Sequence, residues 1–174
     1  GWPPVWCSHG GADWGLVGAF YLGAEIDRLL PERAPEITRT VVTVIEMART
    51  LPLSWWGETS RRRRQVVTWF AHAFERCDLL LTPTVPYDPP PARGPLWTET
   101  EGRQQPSASA GSFTIPVNLA WLPAATVRAG LSRAGLPVGL QIIGPPQRDD
   151  LVLALARAFE LERPWHPHWP RRAA

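Results

Sequence analysis

No lysine occurs in these 174 residues; all 18 basic residues are arginine. A guanidinium keeps its proton at neutral pH, so the chain has no side-chain amine able to act as a base. Cysteine is scarce as well. Cys7 and Cys77 lack any framework spacing, which argues against a disulfide scaffold and fits a reducing cytosol. No apolar run nears the roughly 18 residues that span a bilayer, and no secretory apolar region follows Gly1. Membrane association and export are therefore not expected. A formal net charge of +2 provides no global field that would draw the chain to nucleic acid or to a lipid surface.

What is present is apolar enough to bury a core: 44% of the residues are hydrophobic. The 20 prolines and 14 glycines point to long irregular connections. Residues 1–11, rich in Pro, Gly and Trp, read as irregular. From Trp14 to Leu30 apolar residues recur at helical spacing until Pro31. A second helix is expected from Glu36 to Thr50, with Ile37, Val41, Val44, Ile45 and Ala48 on one face; Leu51-Pro52 ends it. A third spans Trp55 to Arg76. A short strand follows at Asp78–Thr82, then a proline-rich loop over 83–110. Ala124–Ala129 and Val138–Ile143 read as an antiparallel strand pair across a turn-rich link. Asp149 or Asp150 would cap a last helix to Glu162, with Leu151, Leu155, Ala158 and Phe159 on one face.

Several constellations invite chemistry and yield little. Cys7, His9 and Asp13, and separately His166 and His168, are metal-capable types without the paired spacing of a structural zinc site. His72 sits within a helix pattern, and no nucleophile elbow accompanies any histidine. Arg61 to Arg64 point in several directions from a helix, so they read as solvated or paired with Glu58 and Glu75 rather than as a phosphate track.

The order of motifs from Leu79 onward is more specific. Leu79–Thr84 is followed by Phe113, Thr114, Pro116 and Asn118, then by Pro123-Ala124. Next come Gly135, Leu136, Pro137, Gly139 and Gln141, then Asp149-Asp150 and Pro164-Trp165. This series resembles the C-terminal block of the amidase signature family, over residues 78–165. Residues 12–77 agree with it only in helical character and in the arginines before the strand. Two positions depart from the family pattern: Trp121 stands where a glycine is expected, and Arg128 where a proline is.

The resemblance implies an α/β fold: the C-terminal portion of the mixed-sheet amidase signature fold, helices packed on a small incomplete sheet with an antiparallel strand pair. It is read as a single partial domain, mainly helical over 1–77, strand and proline-rich loop over 78–112, strand pair and helix over 113–174. The family's reaction uses a nucleophilic serine, a bridging serine in a cis peptide, an unprotonated lysine and a glycine- and serine-rich oxyanion loop. This chain has neither the lysine nor the loop, so the resemblance assigns it no catalytic residue. It is expected to be inactive alone and to need a missing N-terminal portion of the same protein.

By the same resemblance, Thr114, Val117 and Asn118 are candidates for lining the pocket of a small amide substrate. The alternative for Thr114 and Asn118 is that they satisfy backbone groups around two prolines. Gly139 and Gln141 are expected to serve packing and hydrogen bonding. The enzyme would be bacterial and cytoplasmic, would use no metal or organic cofactor, could form a homodimer, and would bind neither nucleic acid nor membrane. Trp2, Trp6, Trp14, Trp55, Trp56, Trp69 and Trp97 are expected to pack where the missing portion covers them. Two other readings remain open: a stand-alone, non-catalytic binding or assembly module on an amidase scaffold, and part of the A-type subunit of a glutamyl-tRNA amidotransferase.

Overall fold

The structure is a computed structural model that describes residues 4–94, 99–100, 102–104 and 109–165. They divide into two compact units, with the boundary between Trp69 and Phe70.

The first unit is helical. Helix α1 spans Pro4–Ile26, α2 Arg39–Thr50 and α3 Leu53–Phe74, whose last turn belongs to the second unit. Residues 4–11 are therefore helical rather than irregular. Proline is tolerated at the start of a helix, where its missing N–H has no intrahelical partner anyway. The glycines that follow only lower helix propensity. Helix α2 begins three residues later than expected, because Pro35 sits in a short 3-10 turn at Ala34–Glu36. Leu51, extended before Pro52, ends it as expected. Val17, Ala19, Ile45 and Val66 are buried.

Within this unit Asp13, 3% exposed, accepts from Arg62 Nη2 at 2.6 Å and from Arg62 Nε at 2.8 Å, while Thr59 Oγ1 donates to it at 3.2 Å. Of the arginine run, Arg61 pairs with Glu58, as the spacing indicates, but Arg62 turns inward to Asp13. This bond raises the Arg62 pKa above its ordinary value. Asp13 thus lies in an ion pair, and the side chains of Cys7 and His9, like His166 and His168, lie outside the described residues. Trp14 and Trp55 are about half exposed, and Trp56 stacks on Phe20 at 4.2 Å between centroids. Trp2, Trp97 and the Trp6 side chain lie outside the described residues.

The second unit is built on a three-stranded antiparallel sheet in the order β1-β5-β4: β1 Leu80–Pro83, β4 Ala124–Leu131 and β5 Pro137–Ile143. Both expected strands pair, and β1 joins them on the other side of β5. The proline-rich stretch is not wholly irregular, since Glu99–Thr100 (β2) pairs with Arg103–Gln104 (β3) about Gly102. Helix α5, Asp149–Glu162, covers one sheet face: Val152 packs with Val127 and Ile142, flanked by Leu140, Leu155, Ala156 and Phe159. Leu155 and Phe159 face inward as expected, but Val152 rather than Leu151 is the buried residue at the start of that face, and Ala158 is exposed. Neither Asp149 nor Asp150 caps it. Arg148 is the N-cap residue, and both acids fall in the first turn, where they favour the positive end of the helix dipole.

Candidate functional site

The site lies on the sheet face opposite α5. Side chains alternate along a strand, and residues directly opposite in an antiparallel pair share a face. The register places Thr82 opposite Gln141 and Gln141 opposite Thr126. Gln141, 3% exposed, donates from Nε2 to Thr82 Oγ1 and to the Phe113 carbonyl oxygen, each at 2.9 Å. One buried amide thus ties β5 to β1 and fixes the start of the Phe113–Asn118 segment. Hydrogen bonds of this kind are costly to break, because the remaining buried groups lose their partners.

Two residues back along β5, Gly139 allows a close crossing. Its carbonyl accepts from the Thr84 N–H at 3.1 Å, and the Thr84 and Thr126 hydroxyls meet at 3.3 Å. A Cβ at this glycine would lie 2.6 Å from Thr84 Oγ1 and 3.0 Å from Thr126 Cγ2. The two threonines can approach each other only over a bare backbone.

The Phe113–Asn118 segment forms a short helix, α4, Ile115–Ala120, which the sequence pattern did not indicate. Ile115, Pro116, Val117 and Leu119 are buried and hold it in place. Asn118 is exposed, and its Nδ2 donates back to the Thr114 carbonyl at 3.0 Å. Thr114 is half-buried at the helix start. Trp121 ends the helix at φ 56°, ψ 45°, and its N–H bonds to the Asn118 carbonyl. The chain thus keeps the left-handed geometry a glycine would favour while carrying a bulky side chain, at a cost of about 1 kcal/mol.

Beside this segment opens a cavity of about 440 Å³. Pro83, Pro86 and Pro89 form one wall with Val85, Tyr87 and Asp88; Phe113, Pro137, Val138 and Gly139 form the rest. The Tyr87 hydroxyl is buried with no hydrogen-bond partner among the described residues. Of the expected segment, then, Phe113 reaches the cavity, whereas Thr114, Val117 and Asn118 sit on the adjoining helix. Val117 is in the core, and the Asn118 side chain satisfies a backbone carbonyl. Gln141 serves hydrogen bonding as expected; its tie from the sheet to the Phe113 carbonyl is the part that the sequence pattern did not show. The signal for its bond to Thr82 was a glutamine in a strand facing the threonine of a Thr-Pro pair.

Among the described residues no cluster of three or more His, Cys, Asp or Glu is placed to hold a metal ion. No helix among them is long and apolar enough to cross a membrane. The arrangement can shape and orient a small molecule; it presents no lysine to activate a nucleophile.

Comparison with known proteins bears directly on this geometry. The amidase family model matches residues 22–153. The A-type subunit of glutamyl-tRNA(Gln) amidotransferase from Geotalea daltonii is 41% identical over 123 residues, covering 70% of this chain and 23% of that protein. Its counterpart from Dehalococcoides mccartyi is 36% identical over 145 residues, covering 79% and 27%. The solved structure of a bacterial aryl acylamidase of the amidase signature family shares the fold, with TM-score 0.72, 24% identity, and coverage of 94% of this chain and 36% of that one. A 6-aminohexanoate cyclic dimer hydrolase solved with its substrate aligns with TM-score 0.63 and 28% identity, covering 78% and 30%. The chain spans about a quarter of the length of the curated relatives it matches.

Proposed function

The chain belongs to the amidase signature family, and from that premise we propose that it is the C-terminal part of an amidase-type carbon–nitrogen hydrolase acting on a small amide. In this reading the nucleophilic serine, its bridging serine and the lysine base lie in polypeptide outside these residues. The present chain forms and orients part of the substrate pocket. Thr114, Val117 and Asn118 are kept as pocket residues of the whole enzyme by the family resemblance alone; in this chain they follow Phe113 beside the cavity and do not line it. The enzyme is cytoplasmic and works without a metal or organic cofactor. Its partners are the small amide and the N-terminal portion of the same protein.

The observation that carries the reading is Gln141. Its amide holds β1, β5 and the Phe113 carbonyl together, so the pocket-side segment is fixed to the sheet rather than left as a loop. Fixing a substrate before reaction is where much of an enzyme's rate advantage originates, since misplacement by an ångström costs orders of magnitude. A polypeptide that positions but carries no base contributes to turnover only in company.

The test is to express the reading frame extended upstream of Gly1 and assay it against a panel of small amides. The expected result is an upstream lysine and glycine-serine loop, with hydrolysis lost when that lysine is replaced. A stop codon immediately upstream, with the 174-residue chain as the translated product, would favour a non-catalytic module instead. A second reading, part of the A-type subunit of a glutamyl-tRNA(Gln) amidotransferase, is favoured by one observation: the curated relatives of that name are 35–41% identical. Release of ammonia from glutamine but not from aryl amides would support it.

A further inference from the structure

Strand β4 carries one charged side chain, Arg128. Its neighbour Val127 packs against α5, so by alternation Thr126 and Arg128 project to the opposite sheet face, the one that bears the site. Arg128 stands opposite Gly139, a cavity-lining residue, and the strand shifts register just beyond it, before Gly130. The Arg128 Nε is buried with no hydrogen-bond partner, and no carboxylate among the described residues pairs with the guanidinium. A buried donor without an acceptor is costly, and in a native fold it calls for an explanation. Arg128 as a whole is half-buried, so its stem is enclosed while the guanidinium end stays accessible. Thr82, Thr84, Thr126 and Gln141, on the same face, are uncharged. The Thr84 and Thr126 hydroxyls share one hydrogen bond, which uses one of their two hydrogens and leaves the other free to donate.

We infer that Arg128 anchors a carboxylate-binding subsite beside the cavity, and that the ligand carries this carboxylate on an apolar body. A carboxylate supplies the missing counter-charge, and its two oxygens match the paired N–H groups at the guanidinium end. The spare threonine hydroxyl lies on the same face and can donate to the same anion. Across bare Gly139 the cavity of about 440 Å³, walled largely by proline rings, Val85, Val138 and Phe113, receives the apolar body. Asp88, the charged residue on that wall, is engaged in an interaction of its own. A neutral ligand of the same shape leaves the guanidinium unpaired, and a cation is repelled by it. As a statement about the substrate, the inference rests on the amidase reading. As a binding property of the sheet face, it is measurable without any turnover.

The experiment titrates hydrocinnamate, its neutral methyl ketone benzylacetone and the cation of phenylpropylamine into the natural translation product that contains these residues. None of the three has an amide bond to be cut. Binding is followed by NMR shifts of the amides at 126–128 and 138–141. Hydrocinnamate should bind about fivefold tighter than benzylacetone, as suits an accessible guanidinium, and the amine should bind weakest. Arg128→Gln should bring hydrocinnamate and benzylacetone within about twofold of each other. Arg128→Lys, which keeps the charge but loses the paired N–H geometry, should fall between. Added salt should weaken hydrocinnamate and leave benzylacetone unchanged.

Benzylacetone binding as tightly as hydrocinnamate would overturn the inference. So would an unchanged ratio in Arg128→Gln, or shifts confined to other residues. The wild-type shift map and salt dependence decide the matter by themselves if Arg128→Gln fails to fold. The amidase reading is scored separately, by hydrolysis from the upstream-extended polypeptide. Hydrolysis without a carboxylate preference rejects only the Arg128 assignment. The preference without hydrolysis rejects only the enzymatic reading.

Discussion

In residues 1–69 the buried polar groups meet through long side chains: Arg62 and Thr59 reach Asp13 across 49 and 46 positions. In residues 70–174 the close approaches are made by backbone, over Gly139 and through the Gln141 amide. The two designs differ in what they leave for a reader of the sequence. Glycine and glutamine at fixed offsets from prolines form a recognisable string. An aspartate and an arginine on separate helices do not. The same difference sets where substitutions should hurt.

The largest effect is expected from Asp13→Ala. It strands a guanidinium that is mostly buried, and should cost about 3 kcal/mol, offset in part by the remaining Glu58 contact. Denaturant unfolding measures it, and hydrogen exchange should show the protection lost in α1 and α3 rather than in the sheet. Equal loss in β5 would break the contrast between the units. Next is Gly139→Ala. A methyl group 2.6 Å from Thr84 Oγ1 must push the two threonines apart, at about 2 kcal/mol. A neutral result would mean that the crossing is looser than the geometry indicates.

Trp121→Gly should act in the opposite direction. Removing the Cβ from a residue at φ 56° should raise stability by about 0.5–1 kcal/mol, read as a higher denaturation midpoint. The smallest effect is electrostatic. Arg61 and Arg148, through hydrogen bonds to Glu58 and Asp150, pull each of these carboxyls down to about 2 from ordinary values near 4.5 and 3.8. Because the folded values are depressed, the stabilisation is complete above the ordinary values and is lost as pH falls from there toward 2. Both groups are at the surface, so salt should flatten this acid limb. A limb insensitive to salt would point to buried groups instead.

Much of the fold was legible because strong periodicity and proline punctuation are local signals. The strand pair, the end of β1 at Pro83 and the extent of α5 all follow from them, whereas β1 starts at Leu80, two residues later than expected. The misses have physical causes. Helix α4 is six residues long with Pro116 in its first turn, too short to stand on propensity; burial of Ile115, Val117 and Leu119 makes it helical. The helix at residues 4–11 runs against the composition of its glycines. The inward face of α5 turned to Val152 because Gly144 leaves room there, a Cβ at that glycine lying 2.7 Å from Val152 Cγ2. Of the site, the Phe113 segment was legible as a string of residues. The cavity was not, because the loop at 85–89 closes on β5 only in three dimensions.

The account is tested most directly by incubating the purified 174-residue chain with small aliphatic and aryl amides and following ammonia or amine release. A chain that shapes a pocket but supplies neither attacking hydroxyl nor amine base should give no release above the uncatalysed background. Sustained, serine-dependent turnover by this chain alone would contradict it.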